Sequence, residues 1–394
     1  MEAVVLAAGR GTRMGPLTDR IPKPLLPVAG QPLLKHILTQ AAPVVDRFVI
    51  VVGYEGDRIR QSIGDEVESV PVAYVEQPEQ RGTADAVVVA SETVEAPFLV
   101  LNGDVLVEGD VLHRLVDTTA PALVGTTVDD PTQYGVLSVE DGRLVDIVEK
   151  PADPPSNLIN AGLYLVDAGL VDALAAVDES ARGELELTDA IAQRIESGVR
   201  VIAHDEYWLD VGYPWDLLGA TEVVLDQLET RLEGDLHPSA SIEGPVVVEA
   251  GATVEAGSTL RGPVVIASGA TVGPHAYVRD GAVIGPDATV GHATEVKASI
   301  LMREATASHL SYIGDSILGM GVNLGAGTTV ANLRHDGASV KVPIKGALRD
   351  TGRRKFGVIL GHEVHTGINT SLNAGLVLPS EATTKPGSVV LRSP

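Results

Sequence analysis

From Ile242 onward an aliphatic residue returns at every sixth position: Ile242, Val248, Val254, Leu260, Ile266, Val272, Val278, Ile284, Val290 and Val296. A helix repeats every 3.6 residues and a strand every two, so neither gives a strict hexad. A hexad fits a chain that turns after each short strand, with one side chain per flat side pointing inward. Three such sides close a triangular coil, and the spacing predicts a parallel β-helix over 242–394. Small residues four places on, at Ala252, Ala270, Ala276 and Ala288, suit tight corners. The period lapses at 302–317 and 333–357; it holds between them at Leu318, Leu324 and Val330, and resumes through Leu360, Leu372, Leu378 and Val390. Loops set into a rigid solenoid make sites, so function is expected in both lapses.

The first 210 residues read differently. Strand-like runs rich in Val and Leu lie at 3–8, 48–52, 72–75, 98–101, 122–128 and 201–204, with helical patterns between them at about 31–42, 56–63, 82–91, 109–117 and 188–197. Runs with little polar alternation are those of strands covered on both faces. The alternation predicts a doubly wound, mainly parallel α/β sheet of the Rossmann-like kind, with ligands at the carboxyl ends of its strands. The expected division is a nucleotide-binding domain over 1–212, a helix and polar loop over 213–241, and the β-helix over 242–394.

A formal charge of −24 argues against nucleic acid as a partner, since a phosphate backbone is repelled by most of such a surface. The absence of cysteine excludes disulfides, a thiolate nucleophile and cysteine-type zinc sites. No run of 18 apolar residues occurs, and Met1 leads directly into a strand pattern, so a soluble cytoplasmic protein without a membrane partner is expected. The acidic balance and scarce aromatics suit a high-salt cytoplasm, as in a halophile.

Residues 6 to 27 read LAAGRGTRMGPLTDRIPKPLLP: an apolar strand, a turn with Gly9 and Gly11, then Arg13 and Lys23. Such a turn lets backbone N–H groups converge on phosphate oxygens with no Cβ in the way. The P-loop's Gly-Lys-Ser/Thr is missing, and Met14 stands where a dinucleotide fingerprint needs its third glycine. Downstream, Gln77 to Ala84 links a strand to a helix that Thr83 is placed to cap, and Leu99 to Asp104 ends a strand in a carboxylate suited to Mg²⁺. The string as a whole resembles the signature of the sugar-1-phosphate nucleotidylyltransferases. That resemblance implies transfer of a nucleotidyl group from UTP or dTTP to a sugar 1-phosphate. It assigns Arg13 to the β- and γ-phosphates, Lys23 to the reacting phosphates, and Ala7, Ala8, Gly9, Gly11, Thr12 and Asp104 to the nucleotide. It also assigns Gln77, Gly82 and Thr83 to base and ribose, Gly135, Glu149 and Asn160 to the sugar, Lys150 to its phosphate, and Asp104 with Asp210 to Mg²⁺.

In the β-helix, HLSYIGDS at 309–316 and GVNLGAGTTVAN at 321–332 resemble the acetyltransferase domain of the bifunctional N-acetylglucosamine-1-phosphate uridylyltransferases. The resemblance implies a left-handed coil, a homotrimer, and acetyl-CoA bound between coils near Ala326. It makes His309 the general base toward glucosamine 1-phosphate or a related amino sugar phosphate, with Arg279 and Lys297 on the phosphate and Tyr312, Asn323, Asn332 and Lys341 positioning the substrate. The chain departs from that family at Leu333 to Asp336, and in the basic run Arg349, Arg353, Arg354 and Lys355. An alternative reading keeps only the nucleotidylyltransferase, acting on glucose 1-phosphate, and gives the β-helix an assembly or regulatory role.

Overall fold

The computed structural model describes residues 1–180 and 182–393. The chain forms two compact units: Met1–Arg10, Pro22–Leu25 and Leu33–Asp210 make the first, and Gly11–Ile21, Leu26–Pro32 and Val211–Pro394 the second. The signature string is thus shared between them.

In the first unit a ten-stranded sheet runs in the order Gly135–Glu140, Arg143–Glu149, Arg200–His204, Ala122–Thr127, Leu158–Val166, Phe98–Asn102, Glu2–Leu6, Arg47–Val52, Val70–Glu76, Glu66–Val67. The four strands from Phe98–Asn102 to Val70–Glu76 are all parallel. Leu158–Val166 runs antiparallel to both neighbours. Alternate residues of Glu2–Leu6 enter different cores: Ala3 and Val5 pack with Leu99, Leu101 and the Leu33–Ala41 helix, while Val4 packs with Val49, Val100 and the Thr83–Ser91 helix. Burial on both faces is why these strands read as unbroken apolar runs. The hairpin Gly135–Glu140/Arg143–Glu149 escapes such a reading because much of its second strand is exposed, with Arg143 and Asp146 breaking the apolar run.

The second unit contains the expected parallel β-helix. Its strands form three parallel sheets, typified by Val264–Ile266 on Ala282–Ile284, Thr271–Val272 on Thr289–His292, and Thr259–Arg261 on Tyr277–Arg279. Ile266, Ile284, Leu301, Leu318 and Leu360 lie one above another, all wholly buried, and form one column of the core. Coils advance by eighteen residues up to Val296, as in Tyr277↔Glu295, by seventeen across the next two corners, as in Glu295↔Tyr312, and by eighteen again past the insertion, as in Val358↔Leu376.

This register corrects the reading of 302–317 as a lapse. No loop is inserted there; the corners after Lys297 and after Gly314 are each one residue short, and buried Leu301, Ala307, Ile313 and Leu318 carry the core through. The lapse at 333–357 is an insertion, between strands that pair Ile317 with Ile359. It holds the hairpin Lys341–Ile344/Ala347–Asp350, whose Leu348 is exposed.

Candidate active sites

Four parallel strands of the first unit end together, and the expected nucleotide residues follow their ends. Ala7 N–H donates to Val51 O, Gln77 N–H to Val52 O, and Gly103 N–H to Leu6 O at 2.8–3.0 Å, which pins three loops to neighbouring strand ends. Gln80 Nε2 donates to Ala8 O at 2.8 Å, closing one loop over another. Gln77 is buried; its Nε2 donates to Gly82 O and to Asp85 Oδ2. Asp85 is also held by Arg81, a partner that sequence reasoning missed although it lies one helical turn away. Gly82 has φ +129°, and a Cβ there meets Leu185 O at 2.3 Å, so only glycine fits. Thr83 is the first residue of its helix rather than its cap. Its hydroxyl accepts from Leu187 N–H and so joins the starts of two helices.

Asp104 Oδ2 accepts from buried Lys23 Nζ at 2.5 Å. Asp210 pairs in register with Val105, beside Asp104, in the two-stranded ladder of Trp208–Asp210 on Val105–Val107. The backbone register thus brings Asp210 to the strand beside Asp104 and its Lys23 partner. One or two carboxylates with open positions for phosphate oxygens are what Mg²⁺ takes, so the residues fit that ion.

A second cluster surrounds Gly135. A Cβ on Gly135 meets Glu149 Oε2 at 3.0 Å, Thr188 Cγ2 at 3.2 Å and Asn160 Cβ at 3.6 Å, so three expected sugar residues converge there. Glu149 pairs with Lys150 at 3.1 Å and with Arg182 at 3.3 Å, and Arg182 also binds Glu186. Asn160 Oδ1 accepts from Gly162 N–H, and its Nδ2 donates to Tyr164 OH; burial pushes that phenol's pKa up. Burial and the neighbouring Glu186 and Glu149 push the Asp189 carboxyl up as well. Sequence reasoning missed Arg182 and Thr188. Thr188 Oγ1 is buried and without a hydrogen-bond partner at the edge of this cluster.

Of the expected residues in the second unit, Gly11 takes φ +60° and precedes the short turn Thr12–Met14. Arg13 lies with its guanidinium 5.1 Å from the Tyr213 ring, which stacks on Trp215.

On the β-helix, Arg279 and Lys297 are register partners one coil apart. Each already meets a carboxylate: Arg279 meets Glu295 at 2.8 Å and Asp280, and Lys297 meets Asp315 at 2.9 Å. Asn332 Nδ2 donates to Tyr312 OH at 3.2 Å and to Asp315 Oδ2. Lys297, Tyr312 and Asn332 are thus brought together at the shortened corners. His309 is exposed at the end of Thr306–His309, on a different sheet, in register with His292. Asn323 shares that sheet, pairing with Thr306. Ala326 O accepts from Asn369 N–H on the next coil. Lys341 lines a cavity of about 390 Å³ together with Arg334, His335, Asp336 and Asn373.

Comparison with known proteins bears on both halves. Residues 2–227 match the model of the nucleotidyl transferase family, and residues 260–386 match that of the GMPPB C-terminal domain. A protein of Methanococcus aeolicus named bifunctional protein GlmU is 39% identical over 97% of this chain and 92% of its own length. A bifunctional sugar-1-phosphate nucleotidylyltransferase/acetyltransferase of Sulfurisphaera tokodaii is 35% identical over 100% of this chain and 98% of its own. The chain belongs to this family of bifunctional transferases. A solved structure, a putative glucose-1-phosphate thymidylyltransferase from Bacillus anthracis, is 27% identical with a TM-score of 0.54 and covers 59% of this chain and 98% of its own. The Rossmann-like half therefore also occurs without a β-helix, whereas the bifunctional relatives extend through both.

Proposed function

We propose that the chain transfers acetyl from acetyl-CoA to the amino group of glucosamine 1-phosphate or a related amino sugar phosphate, then couples the product to UTP or dTTP with release of pyrophosphate. The observation that carries the two-step reading is the polar corner of the β-helix. A prism that only assembles subunits has no use for a lysine and an asparagine gathered on a buried aspartate, with a tyrosine hydroxyl accepting from that asparagine.

In acetyl transfer, His309 Nε2 or Nδ1 takes the proton the substrate amine loses as it attacks the thioester carbonyl; the C–S bond then breaks and the imidazolium returns that proton to the sulfur, so CoA leaves as its thiol. Lys297 and Arg279 hold the sugar phosphate. In nucleotidyl transfer, an oxygen of the sugar 1-phosphate attacks the α-phosphorus in line and pyrophosphate departs. The phosphate nucleophile needs little activation, so Lys23 and Arg13 serve by position and charge, with Gln77 and Gly82 at the base and Glu149, Asn160 and Lys150 at the sugar phosphate. Asp104 and Asp210 would hold Mg²⁺, and the ion would supply screening of the phosphate charge.

A homotrimer built on the β-helix accords with apolar side chains left exposed on it, among them Leu310 beside His309, Leu333 and Ile368. The charge of −24 supports a salt-rich cytoplasm. No helix among the described residues is long and apolar enough to cross a membrane.

The two chemistries separate by metal dependence. Chelation with EDTA is expected to lower pyrophosphate release from UTP or dTTP at least about 100-fold, restored by added Mg²⁺, while CoA release stays within about twofold. CoA release lost along with pyrophosphate would contradict a metal-free acetyl transfer.

A further inference from the structure

Two of the acetyl-transfer residues, Lys297 and Asn332, share one partner that neither the repeat nor the motif singled out. Asp315 follows Gly314 at the second shortened corner, with φ +52°. It is 4% exposed. Both its carboxylate oxygens accept from Lys297 Nζ, at 2.9 and 3.0 Å, and Oδ2 also accepts from Asn332 Nδ2. Its own backbone is fixed on either side: Asp315 N–H donates to Lys297 O, and Gly357 N–H donates to Asp315 O. A single carboxylate therefore ties together side chains from three successive coils. Gly314 makes room for this, since a Cβ there meets Asn332 Nδ2 and Tyr312 OH, each at 2.6 Å.

A buried ion pair is a poor way to gain stability, because removing two charges from water offsets most of their attraction. The hexad core beneath is already continuous and apolar, so the coil does not need the pair to close. What the pair does supply is direction. A lysine on four rotatable bonds is a mobile charge, and Asp315 confines it; the same oxygen sets the plane of the Asn332 amide, whose Nδ2 reaches Tyr312 OH.

We infer that Asp315 is a positioning residue for acetyl transfer, holding Lys297 and Asn332 in the geometry that receives the sugar phosphate. This rests on the proposed acetyltransferase reading. It acts through those two side chains and does not itself touch the reacting atoms.

The test is steady-state kinetics on the full chain, following CoA release from acetyl-CoA with glucosamine 1-phosphate. Asp315→Asn keeps the shape and removes the charge; it is expected to raise KM for the sugar phosphate at least about tenfold and lower kcat/KM about 30-fold or more, with KM for acetyl-CoA and the rate of pyrophosphate release within about twofold. Asp315→Glu, which restores the charge one methylene out of place, is expected to recover the unfolding temperature but not the KM. Lys297→Ala combined with Asp315→Asn is expected to be no worse than Lys297→Ala alone, because the two act as one unit. Wild-type sugar KM in Asp315→Asn, or losses that multiply in the double variant, overturns the inference. So does recovery of KM by Asp315→Glu, or the same rise in both KM values. A wild-type chain that releases no CoA overturns the acetyltransferase reading itself, and this inference with it. An active wild type with indifferent Asp315 variants overturns the inference alone.

Discussion

Lys23→Ala and Asp104→Ala are each expected to slow pyrophosphate release at least about 100-fold, roughly 3 kcal/mol of barrier. The size follows from what the chemistry lacks: with a phosphate as nucleophile, little proton transfer or covalent catalysis contributes, and positioned charge carries the rate. Lys23 is buried and its ammonium rests on Asp104, so each side chain fixes the other before substrate arrives. Removing one leaves the other charge unpaired and free to move. The two losses should therefore not multiply, and the double variant should be about as slow as the worse single one. Single-turnover measurements separate this from weakened binding, because the loss is expected in the chemical step with only a modest change in nucleotide KM. Near-normal turnover in either single variant would remove these residues from the reacting centre.

The second large effect belongs to the other unit. His309→Ala is expected to lose at least about 100-fold in CoA release, within the range for removal of a general base, while pyrophosphate release from an already acetylated sugar phosphate stays within about twofold. His309 is exposed at a strand end and its side chain contributes nothing to the core, so the variant should unfold at the wild-type temperature. His309→Gln, which can hydrogen bond but cannot take the proton, should be equally slow. Full acetyl transfer by either variant would assign the base elsewhere.

How much of this could be read from the sequence varied with the physics of each part. The hexad was legible because every coil repeats the same inward position, and Val248 to Val296 all prove buried. The central parallel strands were legible because both their faces are covered. Leu158–Val166 and the hairpin before it were not marked, since Asn160 and Gly162 break the apolar run of the first and buried and exposed positions intermix along the second strand of the hairpin. The stretch 302–317 looked like an inserted loop because each one-residue shortening of a corner shifts the period, although the core continues unbroken. Among site residues, those in contiguous strings were found and those joined only in space were missed. Arg182 reaches Glu149 across more than thirty residues, and Asp315 gathers partners 18 and 17 residues away on other coils. The repeat stacks Asp315 between the coils of Lys297 and Asn332 but does not mark which side chains meet. Thr83 shows the reverse: its residue type and place suggested a cap for its own helix, and tertiary packing turned the hydroxyl to Leu187 instead.

The central claim is that one chain carries two separable transferase sites. It is tested most directly by giving the purified full chain acetyl-CoA and glucosamine 1-phosphate with no nucleotide present, and measuring free CoA thiol over time. CoA release that depends on the amino sugar phosphate is the expected result. No CoA from any amino sugar phosphate, while pyrophosphate still forms on adding UTP or dTTP with a sugar 1-phosphate, would contradict it and leave the β-helix a scaffold.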